Sequence, residues 1–168
     1  DASSFEVING QLKLKDNVSA DFETKNTYSI TITATDDANH EASLTYSLQV
    51  TDANDAPTTI ALSASVFDEN TAGAVVGTLS TSDVDAGDTH TYELSGTDAE
   101  SFEIINGQLK LKDSVTADYE TQSSYSVTVT TTDSGGLTTT QSFTVTVNNT
   151  NDAPTLANAL ADQSVDED

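Results

Sequence analysis

The feature that most constrains this chain is an internal repeat. Residues 1–58 align with residues 98–155 without a gap, and 31 of the 58 positions are identical. Ser4–Asp16 returns as Ser101–Asp113 with one change, Val7 to Ile104. The hexapeptide Asp52-Ala53-Asn54-Asp55-Ala56-Pro57 returns as Asn149-Thr150-Asn151-Asp152-Ala153-Pro154, 97 positions later (154 minus 57). A period near a hundred residues is the size of one small β-domain, and self-similarity at that period marks beads on a string. Each hexapeptide closes a strand-like run and ends on a proline, which cannot donate to a ladder. It reads as the joint between domains. The expected organisation is the C-terminal half of one repeat over 1–56, a complete repeat over 57–154 and the first strand of a third over 155–168. The half-repeat lacks three strands and is expected to leave its core open, so the native protein is expected to continue in both directions.

Within each copy the apolar residues alternate with polar ones, the period of a half-buried strand. Leu109 and Leu111 face in while Lys110 and Lys112 face out, after the hairpin signal Asn106-Gly107, whose counterpart is Asn9-Gly10. Tyr28, Ile30 and Ile32 line one strand, and Tyr125, Val127 and Val129 the matching one. The last strand carries Leu44, Tyr46, Leu48 and Val50, or Phe143, Val145 and Val147. The half present only once adds a strand from Ile60 extended through Asn70, a second over Ala74–Leu79 and a third over Thr91–Leu94. No stretch has helical periodicity. Seven short strands in about 97 residues, separated by frequent turn signals, predict all-β, seven-stranded Greek-key sandwiches in tandem, immunoglobulin-like in architecture.

Composition excludes several functions. Five basic residues against 28 acidic ones, a formal net charge of −23, leave no basic face for nucleic acid or for an acidic membrane surface. There is no cysteine, so neither disulfides nor thiol chemistry is available, and a small secreted domain then calls for another staple, such as a metal. No apolar run approaches the ~18 residues of a membrane span. The acids gather in short motifs at strand ends: Asp68-Glu69-Asn70, Asp83-x-Asp85, Asp118-x-Glu120, Asp133 and the Asp/Asn-x-Asn-Asp linker. Strand alternation places Asp83, Asp85 and Asp133 at the pole near the preceding linker, and Glu69, Asp118 and Glu120 at the pole near the following one. Packed carboxylates repel unless a cation neutralises them, and a hard cation such as calcium takes six to eight oxygens.

The set of motifs resembles the cadherin repeat: a Glu within Asp-Glu-Asn, Asp-x-Asp-x-Gly, a Leu-Asp-Arg-Glu-like element, Ala-x-Asp-x-Gly and Asp-x-Asn-Asp-x-x-Pro. The resemblance covers 57–154 and the matching half in 1–56. In that family these motifs bind calcium between successive domains, typically three ions per junction. The resemblance therefore implies one junction made of Asp21, Glu23, Asp52, Asn54, Asp55, Asp83, Asp85 and Asp133. It implies a second made of Glu69, Asp118, Glu120, Asn149, Asn151 and Asp152, weakened by Asn149 in place of Asp52 and by the absence of a third repeat's aspartates. Asp36 is expected to point to an upstream junction, and Asp88 is a further oxygen where the family often has Asn. The Leu-Asp-Arg-Glu element is here Ala-Asp-Phe-Glu (Ala20–Glu23) and Ala-Asp-Tyr-Glu (Ala117–Glu120), which keeps both acids. Without tryptophan, the strand exchange of vertebrate cell–cell cadherins has no anchor. Near-identical Thr/Ser/Asp-rich repeats without cysteine are most similar to the cadherin-like repeats of large bacterial surface adhesins.

Other chemistry fits less well. Asp83-x-Asp85-x-Gly87 opens like an EF-hand, but its twelfth position is Leu94. His40 and His90 do not recur and read as ordinary loop or strand residues. There is no Gly-x-Ser-x-Gly elbow, and the carboxylate pair Asp118/Glu120 lacks the aromatic cleft of a glycosidase. The sequons at Asn17 and Asn148 occur at a frequency expected by chance. The expected function is non-enzymatic: an extracellular, calcium-stiffened spacer in a cell-surface adhesin, whose partners are calcium and the neighbouring repeats. Cell-surface glycan or protein would be met by other regions, and the fragment inserts in no membrane. The alternative is a module that itself recognises a glycan or another cadherin-like chain, and an enzyme is a distant third.

Overall fold

A computed structural model describes residues 1–154. The restart of the pattern after Pro154, and the match of Val165–Asp168 to Phe67–Asn70, lie outside the described residues. Among these, two compact units are distinguished: one comprises Asp1–Ile60, Thr81–Thr91 and Thr130–Thr140, the other Ala61–Ser80, Tyr92–Val129 and the chain from Gln141 onward.

In the first copy, β1 (Phe5–Ile8) and β2 (Gln11–Leu14) form a hairpin in which Phe5 faces Leu14 and Ile8 faces Gln11. Its turn is made by Asn9 at φ 51° and Gly10 at φ 76°, the two positive angles that a tight primed turn requires. β3 (Thr27–Thr35) pairs antiparallel with β4 (Glu41–Gln49), so Tyr28, Ile30 and Ile32 lie opposite Leu48, Tyr46 and Leu44. Tyr28 and Ile30 are buried, and the Phe5 ring meets Tyr28 edge-on at 5.3 Å. Val7, Leu44 and Tyr46 stay exposed, at 56%, 59% and 44%.

From residue 59 onward eight strands form two four-stranded sheets. One has the order β5-β7-β10-β9, built from β5 (Thr59–Leu62), β7 (Val75–Ser82), β9 (Phe102–Ile105) and β10 (Gln108–Leu111). The other has the order β6-β12-β11-β8, built from β6 (Val66–Asp68), β8 (Thr91–Ser95), β11 (Ser124–Thr132) and β12 (Thr138–Asn148). Chain-consecutive strands β7 and β8, β8 and β9, and β10 and β11 lie in different sheets, the crossed connectivity of a Greek-key sandwich. The strand expected to run from Ile60 through Asn70 is two strands. β5 joins β7, whereas β6 runs parallel to β12, with Val66 opposite Thr146 and Asp68 opposite Asn148. The switch occurs at Ser63–Ser65, where Ser63 N–H donates to Thr78 O at 2.9 Å and Ser63 Oγ accepts Thr78 N–H at 2.8 Å. Gly77 permits it: a Cβ there would stand 2.8 Å from the backbone of Ala64. A short apolar run shows its strand character but not a change of sheet partner.

The core of the second unit holds Phe67, Val76, Phe102, Leu109, Leu111, Ala117, Tyr125, Val127, Val145 and Val147. Phe67, Phe102 and Tyr125 form a ring cluster with centroids 5.4 to 6.5 Å apart. Alternation along β10 and β11 buries Leu109, Leu111, Val127 and Val129 completely. The turn Asn106-Gly107 repeats the geometry of the first hairpin, with φ 51° and 74°. Three-residue 3-10 turns at Ala2–Ser4 and Ala99–Ser101, which the sequence pattern did not signal, lead into β1 and β9.

Candidate metal centres

Three groups of carboxylates, each with oxygens within 4.8 Å of one another, are formed among the described residues: Glu23, Asp52 and Asp85; Asp83, Asp88 and Asp133; Glu69, Glu120 and Asp152. All three lie at strand ends or in the segments after them, because alternating strands carry their apolar load internally and leave the loops to the acids.

In the first group, Asp85 follows β7 and Asp52 follows β4. Asp55 N–H donates to Asp85 Oδ2 at 2.7 Å, so the linker backbone is held on the loop that carries Asp83 and Asp85. Asp85 Oδ1 is buried without a hydrogen-bond partner. The hydrogen bond at its own amide lowers the Glu23 pKa, but desolvation and the charges of Asp52, Asp55 and Asp85 together raise it above the ordinary value. Asp21, the other acid of its motif, does not enter this group. Its two oxygens accept Thr24 N–H at 2.9 Å and Thr24 Oγ–H at 2.8 Å, and these bonds hold its pKa below the ordinary carboxylate value.

In the second group, Asp133 is 6% exposed. Its Oδ1 accepts Leu137 N–H at 2.8 Å and its Oδ2 accepts Asn54 Nδ2–H at 2.9 Å. Burial raises its pKa, but these hydrogen bonds outweigh it and the value lies below the ordinary one. Gly135 makes room for this contact, since a Cβ there would stand 2.3 Å from the Asn54 carboxamide. His90 Nε2 lies 2.9 Å from Asp83 Oδ2, and chiefly this bond lowers the Asp83 pKa. Asp88 Oδ1 accepts Ser134 Oγ–H at 2.7 Å, while its Oδ2 is buried without a partner. Sequence reading missed Gly135, Ser134 and the contact of His90. Only the run Ser134-Gly135-Gly136, a loop without bulk, hinted at the close approach.

In the third group, Glu69 is 2% exposed and its carboxylate is held by backbone: Oε2 accepts Tyr119 N–H and Oε1 accepts Thr150 N–H, each at 2.7 Å. Asn70, in the left-handed region at φ 64°, places Nδ2 2.7 Å from Asp152 Oδ1. Asn149 Nδ2 donates to Glu120 Oε1 at 2.9 Å. Asn151 Nδ2 donates to the carbonyl of Asp152 at 3.3 Å. Asp118, like Asp21, instead caps the turn to Thr121, at 3.1 and 2.9 Å. Asp36 holds His40 N–H and Ala38 N–H and joins none of the three groups.

The residues fit a hard divalent cation. Buried carboxylate oxygens without donors cost free energy that a cation would offset. The lysines that form ion pairs lie elsewhere: Lys13 pairs with Glu6 and Asp16, Lys25 with Asp1, and Lys110 with Glu103 and Asp113. Carboxylates and amide oxygens without thiols or a clustered imidazole set suit calcium better than zinc. Calcium would find side-chain oxygens of Glu23, Asp52 and Asp85, of Asp83, Asp88 and Asp133, and of Glu69, Glu120 and Asp152.

No curated protein matches the chain. Among solved structures, the chain is similar to PcdhgB3 EC1-4 at 26% identity and a TM-score of 0.65, with 86% of this chain and 37% of that one covered. It is similar to the protocadherin gammaB7 EC3-6 cis-dimer at 27% identity and a TM-score of 0.62, covering 91% of this chain and 39% of that one. Human protocadherin-24 EC1-2 is 25% identical with a TM-score of 0.62, covering 89% of this chain and 79% of that one. The chain thus spans less than two fifths of the first two relatives. The family model of the cadherin domain matches residues 63–148, just over half of the chain. The chain belongs to the cadherin domain family, a family of cell-adhesion modules.

Proposed function

We propose that this chain is a calcium-binding, calcium-rigidified spacer of an extracellular cell-surface adhesin. Its organisation is the C-terminal half of one repeat (1–56), a complete repeat (57–154) and the start of a third (155–168). The observation that carries the reading is the convergence of Glu23, Asp52 and Asp85 from three stretches of chain, with a buried unpartnered oxygen on Asp85 and Asp55 N–H anchoring the linker there. A cation held by all three stretches removes the bending freedom of the linker, and its binding free energy goes to the ordered state alone. Asp21, Asn54, Asp55, Asp83 and Asp133 complete this junction. Glu69, Asp118, Glu120, Asn149, Asn151 and Asp152 belong to the next, where Asn149 carries no charge. Near-identical repeats without cysteine suit the cadherin-like repeats of bacterial surface adhesins, where length is obtained by copying. The exposed Val7 and Tyr46 match Ile104 and Phe143, both half-buried, so they mark a face for covering strands and not a glycan site.

Small-angle scattering of the chain in millimolar calcium and in excess chelator tests the reading. A shorter maximum dimension with stiff behaviour lost on chelation is the expected result, and Asp55→Ala and Asp85→Ala mimic the chelator. An unchanged profile with no calcium bound at equilibrium overturns it. Glycan or chain binding by these residues would then take its place.

A further inference from the structure

Each copy of the repeat carries Asn-Gly at the tip of its hairpin, as Asn9-Gly10 and Asn106-Gly107, and of the chain's 11 asparagines only these two precede glycine. An asparagine carboxamide can be attacked by the backbone nitrogen of the next residue, and glycine, with no Cβ, leaves that nitrogen open. The surroundings leave it open too. A Cβ on Gly10 or Gly107 would meet nothing within 4 Å, and Asn9 and Asn106 are both exposed. Among the described residues neither of these carboxamides makes a hydrogen bond. Asn54, Asn70, Asn148 and Asn149 are different: each precedes a larger residue and donates Nδ2–H to a carboxylate. The two turns share their conformation, with asparagine at φ 51° in both and glycine at 76° and 74°. They differ in what holds them. Gly107 is half-buried and its carbonyl accepts Leu79 N–H at 2.8 Å. Gly10 is exposed, and among the described residues no donor reaches its carbonyl.

We propose that Asn9 and Asn106 are modification sites at which the chain deamidates without an enzyme, Asn9 faster than Asn106. The Gly10 nitrogen attacks Asn9 Cγ and the new C–N bond closes a five-membered succinimide. The Cγ–Nδ2 bond breaks, and the proton lost by the Gly10 nitrogen leaves on ammonia. Water then opens the ring at one carbonyl or the other. One product is aspartate, and the other is isoaspartate, whose backbone runs through the side chain and is one methylene longer. The net reaction consumes one water and releases one ammonia, with nothing oxidised or reduced. Ring closure needs the peptide between asparagine and glycine to swing out of the turn, so whatever holds the glycine slows it. Leu79 holds Gly107, and nothing equivalent holds Gly10 among the described residues. Each event adds a carboxylate to a chain already at −23, and isoaspartate spoils the two-residue turn that sets Ile8 opposite Gln11. None of the acidic clusters takes part, so the chemistry does not depend on calcium.

The test incubates the full chain in mildly alkaline buffer, folded in millimolar calcium and, in parallel, unfolded in guanidinium chloride. Peptide mass mapping follows the conversion of each asparagine, and Val7 against Ile104 tells the two hairpin peptides apart. In the folded chain Asn9 is expected to convert about fivefold faster than Asn106, the factor that one hydrogen bond of ordinary net strength gives. Unfolded, the two convert at the same rate, because Ile8–Gln11 and Ile105–Gln108 are the same four residues. Released ammonia and an isoaspartate fraction accompany the conversion. Equal rates in the folded chain, or faster conversion at Asn106, overturn the order. If neither asparagine converts in the folded chain while the unfolded sample does, the turns are not modification sites and the proposal falls.

Discussion

At the residue scale, one side chain is set against itself by the charges around it. Glu23 is held above its ordinary pKa mainly by desolvation and by Asp52, Asp55 and Asp85, against the lowering effect of the hydrogen bond at its own amide. A raised carboxylate pKa opposes the folded state increasingly as pH rises through the folded value. Glu23→Gln is therefore expected to raise the melting temperature in chelator at pH 7 and to lower it in saturating calcium. Melting curves in the two buffers check this crossed sign, and a shift of the same sign in both would refute it. Asp83 and Asp133 are of the opposite kind. Each is lowered, Asp83 chiefly by His90, Asp133 by Asn54 and Leu137 against its burial. Their contribution in calcium-free protein is present above the unfolded value near ~3.9 and is lost as pH falls through the folded values. Gly135→Ala is expected to push Asn54 off Asp133 and leave a buried carboxylate oxygen unpaired. The cost is about 1–3 kcal/mol, read by denaturant unfolding in chelator.

At the scale of elements, the two hairpins are an experiment the chain performs on itself. Ser4–Asp16 and Ser101–Asp113 differ at one position, and both form the same hairpin with the same register and the same turn angles. Local sequence was enough for that, because alternation sets the faces and Asn-Gly sets the turn. Burial differs. Leu109 and Leu111 are fully buried, while Leu12 and Leu14 are only half-buried, since residues 59–95 lie over the second copy's apolar face. Leu109→Ala is expected to cost about 2–5 kcal/mol, and Leu12→Ala clearly less. Equilibrium unfolding of the two variants checks this, and equal losses would contradict the difference in packing. The split of the first strand into β5 and β6 was illegible for a related reason: parallel pairing with β12 is decided by a partner about 80 positions away, at Asp68 and Asn148.

At the scale of the molecule, 28 acidic residues stand against five basic ones, and the proposed function makes calcium the control of stability. A ligand bound by the folded state alone stabilises it by about 2.7 kcal/mol at a hundred times its dissociation constant. Chelation is therefore expected to lower the melting temperature markedly, while an equal ionic strength of sodium chloride does not restore it. Full restoration by sodium chloride would show screening of general repulsion instead of specific sites. Sequence alone determined the all-β class, the tandem period, the inward residues of β10 and β11 and the acids at strand ends. Those are consequences of short-range alternation and of copying. Only the tertiary structure decided which acids meet. It set Glu23 with Asp52 and Asp85, and Glu120 with Glu69 and Asp152, while Asp21 and Asp118 each accept hydrogen bonds from their own turn threonine. It brought Asp88 to Asp83 and Asp133, which Coulomb repulsion alone would keep apart, because the loops that carry them are anchored by backbone hydrogen bonds and by the packed strands beneath.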